Sequence, residues 1–215
     1  MDEAGRITPT PVTPLEGNEA FIGLDVNPSV VDFWTFAISD LKMNSIRGIL
    51  AEFLVASALR PGIKKSEQWA DYDLLYTHPD GPVDIRIEVK SSAYLQAWEQ
   101  SGLSEIKFTG LKGTPHIPRG GYDPRGQQYN ADVYIFCVQT AKTHKKYNPL
   151  DVSQWDFYVL PRTAVSRRGY ASITLVALER LEREGVTKSL KVAGIRDAVL
   201  AAAKMERDAE GLRVT

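Results

Sequence analysis

Glu52, Asp73, Glu88 and Lys90 are the residues of this sequence whose types and spacing suit one chemistry. On a strand, positions two apart share a face, so Glu88 and Lys90 point the same way, about 7 Å apart along the chain. If a preceding strand brings Asp73 alongside on that face, two carboxylates and an ammonium converge. Carboxylates a few Å apart repel each other, which favours a raised pKa or a bound hard cation. Mg²⁺ suits such a pair, because it needs one or two protein carboxylates and fills its shell with water and substrate phosphate. Asp71, two positions away, shares Asp73's face if the strand has already begun, and is the alternative ligand.

The elements that must position these groups show as changes of period. Asn27-Pro28 reads as an N-cap followed by proline at the first helical position, opening an apolar helix through Val30, Val31, Phe33, Trp34, Phe36 and Ala37. A second helix starts at Asn44 or Ser45. Ile46, Ile49, Leu50, Phe53, Leu54 and Ser57 mark its buried stripe, and Pro61-Gly62 ends it. Glu52 lies in the middle of this apolar segment, an unusual place for a carboxylate. Residues 72–77, a turn over 78–81 and residues 83–92 read as a hairpin. Val83, Ile85, Ile87 and Val89 line one face of its second strand, and Asp84, Arg86, Glu88 and Lys90 the other. Further strands are expected over 104–109, 131–139, 155–160 and 172–176, and an alanine-rich helix over 194–208. Residues 110–130 form a long loop rich in Gly, Pro and Arg. The proline-rich residues 1–18 read as a flexible tail, and 19–215 as a single domain. The class is α/β, a mixed sheet flanked by helices, with one helix N-terminal and one C-terminal to it.

Asp73, a turn, and then Glu88-Val89-Lys90 resemble the PD-(D/E)XK signature of the restriction-endonuclease-like nuclease superfamily. Gly48-Ile49-Leu50-Ala51-Glu52 resembles the first-helix motif of that superfamily, in which a small residue precedes an acidic one by a turn. Glu88-Val89-Lys90-Ser91-Ser92 resembles the common continuation of its strand. The likeness covers roughly residues 45–95, and the strand order to residue 160 more loosely; Tyr72 stands before Asp73 where the signature has proline. The resemblance implies a restriction-endonuclease-like core of αβββαβ type, with the helix between the later core strands shortened to residues 148–154. It also implies a Mg²⁺-dependent DNA nuclease, Mn²⁺ substituting, that leaves a 5′-phosphate and a 3′-hydroxyl. Asp73 and Glu88, with the carbonyl of Val89, would hold the ion, and Glu52 a second ion or its water. Lys90 would orient or deprotonate the attacking water and offset charge on the phosphate. The alternative is a nucleic-acid-binding or assembly module that keeps the fold and does no chemistry.

The wider composition bears on partners. The 215 residues are 43% hydrophobic and 25% charged, enough to bury a full core. Lys+Arg 26 against Asp+Glu 27 gives a net charge of -1, so a polyanion must be held by a local patch. Lys112, Arg119, Arg125, Lys142, Lys145 and Lys146 concentrate positive charge between residues 112 and 146, against Asp123 and Asp132. Ser91, Ser92, Lys112, Arg119, Arg125, Gln127, Lys145 and Lys146 are the expected DNA contacts. The single cysteine, Cys137, excludes a disulfide framework and a Cys-based zinc site, and reads as core. No apolar run approaches a membrane span, so the expected setting is cytoplasmic. Cutting both strands of a duplex takes two sites, for which a homodimer is natural.

Overall fold

The computed structural model describes residues 13–65, 70–77, 84–117 and 121–211. They fall into two compact units, Met1–Asp40 and Leu41–Thr215. The first unit is organised around α1 (Val30–Ile38). Its N-cap is Ser29 rather than the expected Asn27, because Ser29 and Asp32 form a reciprocal capping box. The Asp32 N–H donates to the Ser29 hydroxyl (3.3 Å), and the Ser29 N–H to the Asp32 carboxylate (2.7 Å). Two orphan donors are thereby satisfied at once. Residues 16–19, in part expected as tail, form a turn in which the Glu19 carboxylate accepts the N–H groups of Glu16 and Gly17.

The second unit opens with α2 (Asn44–Leu59). Its strands, in chain order, are β1 (Ile63–Lys65), β2 (Leu74–Thr77), β3 (Asp84–Ala93), β4 (Lys107–Phe108), β5 (His116–Ile117), β6 (Gly121–Tyr122), β7 (Val133–Gln139), β8 (Trp155–Pro161) and β9 (Ile173–Thr174). Its later helices are α3 (Arg162–Ser166), α4 (Leu175–Arg183) and α5 (Ile195–Gly211). Five strands form one mixed sheet in the order β1-β2-β3-β7-β8, antiparallel except for the parallel pair β3–β7. The fold is therefore α/β, a mixed five-stranded sheet flanked by helices.

The core has two layers because side chains of the central strands alternate between faces. Ile85, Ile87, Val89, Val133, Ile135 and Cys137 pack with α2 and α5. Tyr134, Phe136 and Val138 pack on the other face with Phe108, Ile173, Leu178 and Leu181. All seven residues of β7 are buried, as a strand covered on both faces requires. Cys137 lies in the first layer, where burial pushes its thiol pKa up.

Several expected elements differ. The buried stripe of α2 runs through Arg47, Ala51, Leu54, Val55 and Leu59, while Ile49 and Phe53 are 48% and 56% exposed. The repeat of four from Arg47 through Ala51 and Val55 to Leu59 sets the inner face, and the small Ala51 lets the helix sit close to the sheet. The 104–109 strand shrinks to β4, which pairs with β9 outside the main sheet. Residues 172–176 are half strand and half helix: the Thr174 hydroxyl accepts the Ala177 N–H (3.3 Å) and starts α4. The parallel crossover from β3 to β7 carries β4, β5 and β6 and, among the described residues, no α-helix, where an αβββαβ core has one. Residues 148–154 hold only the short 3₁₀ turn Val152–Gln154, between the antiparallel strands β7 and β8. The expected turn at 78–81 lies outside the described residues. Among those described, no helix is long and apolar enough to cross a membrane.

One glycine matters for the site. Gly62 has φ +101°, and a Cβ there would lie 2.3 Å from the Thr77 carbonyl oxygen. Its own carbonyl accepts the Thr77 N–H (2.8 Å), which lays β1 against β2 directly after α2. That placement brings Lys65 to Glu52.

Candidate active site

The hairpin strands position the acidic groups as their alternation predicts. Ile85, Ile87 and Val89 are buried toward α2, so Glu88 and Lys90 project from the opposite face, in register with Tyr134 and Phe136 of β7. Both are only partly exposed, and their side chains form an ion pair. Asp73 immediately precedes β2. Its N–H donates to the Ile87 carbonyl (3.0 Å), and its carboxylate accepts the Val89 N–H (2.7 Å). Here β2 has not yet begun, and the Asp73 side chain replaces the missing backbone partner of Val89. The Val89 carbonyl, by strand geometry, faces the same edge. Asp71 turns away, its carboxylate accepting the His116 N–H (3.2 Å). Glu52 reaches the cluster from α2, with the Lys65 ammonium 3.2 Å from its carboxylate.

These groups sense one another. Burial and then the charge of Asp73 push Glu88 up to about 7, against the opposing pull of Lys90. Glu52 is also raised, by burial first and Asp73 second, with Lys65 opposing. Burial raises Asp73 too, although the Val89 N–H and the charges of Lys90 and Lys65 counter it. The Tyr134 phenol is pushed up by burial and by Glu88. Three partly buried carboxylates thus share a region served by two ammonium groups.

Among the described residues, no three or more Asp, Glu, His or Cys side chains are gathered so as to hold a metal ion. The donor chemistry nonetheless fits a hard cation: Asp73 and Glu88 offer desolvated carboxylate oxygens that repel each other, and Mg²⁺ asks for no more than one or two. Lys65 is a participant that the sequence did not single out. Its only signal is position, one turn-and-strand after the helix carrying Glu52.

The expected DNA contacts are scattered in character. Ser91 is half-buried, while Ser92 is buried and its hydroxyl accepts the Lys107 N–H (3.3 Å), a role in placing β4. Lys112 sits over the Tyr129 ring, 5.0 Å from its centroid. Arg125 is tied to Asp123 by hydrogen bonds of 2.6 to 3.1 Å, which hold the Asp123 carboxyl down to about 2. Gln127, Lys145 and Lys146 are exposed. Arg119 lies outside the described residues. Comparison with protein-family models, with curated proteins and with solved structures finds no match to the chain.

Proposed function

We propose that this chain is a divalent-metal-dependent nuclease acting on DNA, built on a restriction-endonuclease-like variant of the α/β fold. The observation that carries this reading is the pair Asp73 and Glu88, both raised in pKa by burial, with Lys90 bonded to Glu88 and Glu52 within electrostatic reach of Asp73 and Lys90. Asp73, Glu88 and the Val89 carbonyl would hold Mg²⁺ or Mn²⁺, which supplies Lewis acidity toward a phosphate oxygen and acidifies water. Lys90 stands on the same strand face as Glu88, where it orients water and offsets negative charge on the phosphate. The Val89 N–H fixes the Asp73 carboxylate in direction, and Lys65 fixes that of Glu52. Preorganisation of this kind limits the reorganisation needed as the reaction proceeds.

A second reading is a binding or assembly module on the same fold that does no chemistry. The closed Glu88–Lys90 pair favours it, since such a pair can be structural. The test is incubation with circular single-stranded and duplex DNA in Mg²⁺ or Mn²⁺, alongside thermal melts with the same ions. Loss of the circle and a metal-dependent rise in melting temperature are expected, with the rise abolished in Asp73→Asn. Intact circles and no response to either ion would leave the binding module.

The loop charges carry their own expectation. Lys145→Ala/Lys146→Ala should lower the slope of log affinity against log salt by about one unit per lost phosphate contact. Arg125→Ala should change the slope less, because Asp123 already neutralises that guanidinium. Anisotropy titrations of labelled DNA over a KCl series in Ca²⁺ read both slopes. A slope unchanged in the double variant returns the two lysines to ordinary solvated surface.

A further inference from the structure

Arg47 is an anomaly among the buried groups. It is 5% exposed, yet its guanidinium has only neutral partners: the Gln96 side-chain oxygen (3.3 Å), the Lys42 carbonyl (3.4 Å) and the Asn44 side-chain oxygen. Its Nε has no hydrogen-bond partner, and among the described residues no carboxylate pairs with it. A guanidinium taken out of water without a counter-charge is costly, and its usual remedy is an anion. Burial also pulls its pKa down.

The surroundings say which anion. Arg47 lines a polar cavity of about 370 Å³ that also includes Lys90 and Lys107, against the exposed carboxylate of Glu105. α2 begins at this cavity with Asn44, and no side chain caps its N-terminus, so the positive end of a 16-residue helix faces the same space. Trp98, 56% exposed, stands on the cavity wall as a flat apolar surface among polar groups. A forked guanidinium with a helix N-terminus and a free-standing indole beside them matches a phosphate with its attached nucleobase.

We propose that this cavity is a nucleotide-phosphate pocket beside the hydrolytic site, in which Arg47 holds the phosphate oxygens, Lys107 adds charge, and Trp98 stacks on the base. The polymeric ligand rests on the nuclease reading, whereas the anion preference rests on Arg47 itself. Because Lys90 belongs both to this wall and to the acidic cluster, the pocket takes a phosphate that flanks the hydrolysed one. That phosphate is either an internal diester or a terminal monoester, and both share the chemistry that Arg47 recognises.

The test omits divalent metal so that binding is read apart from cleavage. Inorganic phosphate, compared with chloride at matched ionic strength, should raise the melting temperature of the wild type and not that of Arg47→Met. In EDTA, labelled dT8 should bind Arg47→Met at least tenfold more weakly than wild type. Equal binding of 5′-phosphorylated and 5′-hydroxyl dT8 assigns the pocket to a diester, and preference for the phosphorylated form to a terminal monoester. Trp98→Ala and Lys107→Ala change exposed positions, so they carry the test if Arg47→Met does not fold. Trp98→Ala should weaken dT8 binding about tenfold while leaving the response to inorganic phosphate intact. Lys107→Ala should reduce both responses. Wild-type phosphate response and dT8 affinity in Arg47→Met, or in both exposed variants, would overturn the pocket. A protein that binds through Arg47 yet never opens a DNA circle keeps the pocket and loses the nuclease reading. One that cleaves while Arg47→Met binds normally does the reverse.

Discussion

Lys90→Ala is expected to slow DNA cleavage by about 10²–10⁴-fold, the range for a positioned acid–base group, with affinity for DNA in Ca²⁺ near wild type. The ammonium lies within the acidic cluster and pairs with Glu88, so its loss removes the cation that the proposed mechanism sets against the phosphate. It also removes the charge that draws Glu88 downward, which leaves Glu88 more protonated at neutral pH and a poorer metal ligand. Affinity should change little, because one cation contributes about one counterion's worth of binding. The fold should survive, since Lys90 projects from the polar side of β3 and its truncation opens no apolar cavity. Lys90→Arg should not restore the full rate, because guanidinium does not deprotonate near neutral pH and its fork has a different reach. Cleavage and binding measured side by side, with circular dichroism as the folding control, decide the matter. Cleavage by Lys90→Ala at the wild-type rate would remove Lys90 from the mechanism.

The sequence made the hairpin legible because strict alternation over Ile85, Ile87 and Val89 leaves only one face for Glu88 and Lys90. It could not show that Asp73 caps the Val89 N–H, since that bond depends on where β2 starts relative to β3, a matter of register. The stripe of α2 departs from its hydropathy pattern for a related reason. Hydrophobicity favoured Ile49 and Phe53, but the inner face is set by the small Ala51 and includes a buried arginine that no hydropathy pattern places inside. The cavity around Arg47 is invisible to hydropathy for the same reason. A charge count over residues 112–146 gives the net balance but not the pairing: Arg125 and Asp123, two positions apart, neutralise each other in the folded chain. α4 is not legible in the sequence because Ile173 and Leu175 fit a strand and a helix equally, and the Thr174 cap decides between them. Lys65 became relevant only when Gly62 folded β1 back along β2.

Glu88→Gln should both abolish cleavage, by roughly 10³-fold or more as a metal ligand and charge are lost together, and stabilise the protein at alkaline pH. The folded state raises Glu88 from 4.5 to about 7, so between those values it binds more protons than the unfolded chain. Stability therefore falls as pH rises through this window, and is greatest below the unfolded pKa. The full shift corresponds to a loss of about 3 kcal/mol between pH 4.5 and pH 7. Glu52 and Asp73 are raised as well and act in the same direction. An amide in place of the carboxylate removes the buried charge and keeps an acceptor for Lys90, but leaves that ammonium less well compensated. The net gain at pH 8 should then be about 1–2 kcal/mol, with little change at pH 5. Urea melts of wild type and Glu88→Gln at the two pH values measure it. A purely structural Glu88–Lys90 pair predicts the opposite outcome, a variant less stable at pH 8 than the wild type and no effect on cleavage. Loss of cleavage together with a gain in stability at pH 8 would mark Glu88 as a carboxylate held in the fold for chemistry rather than for packing.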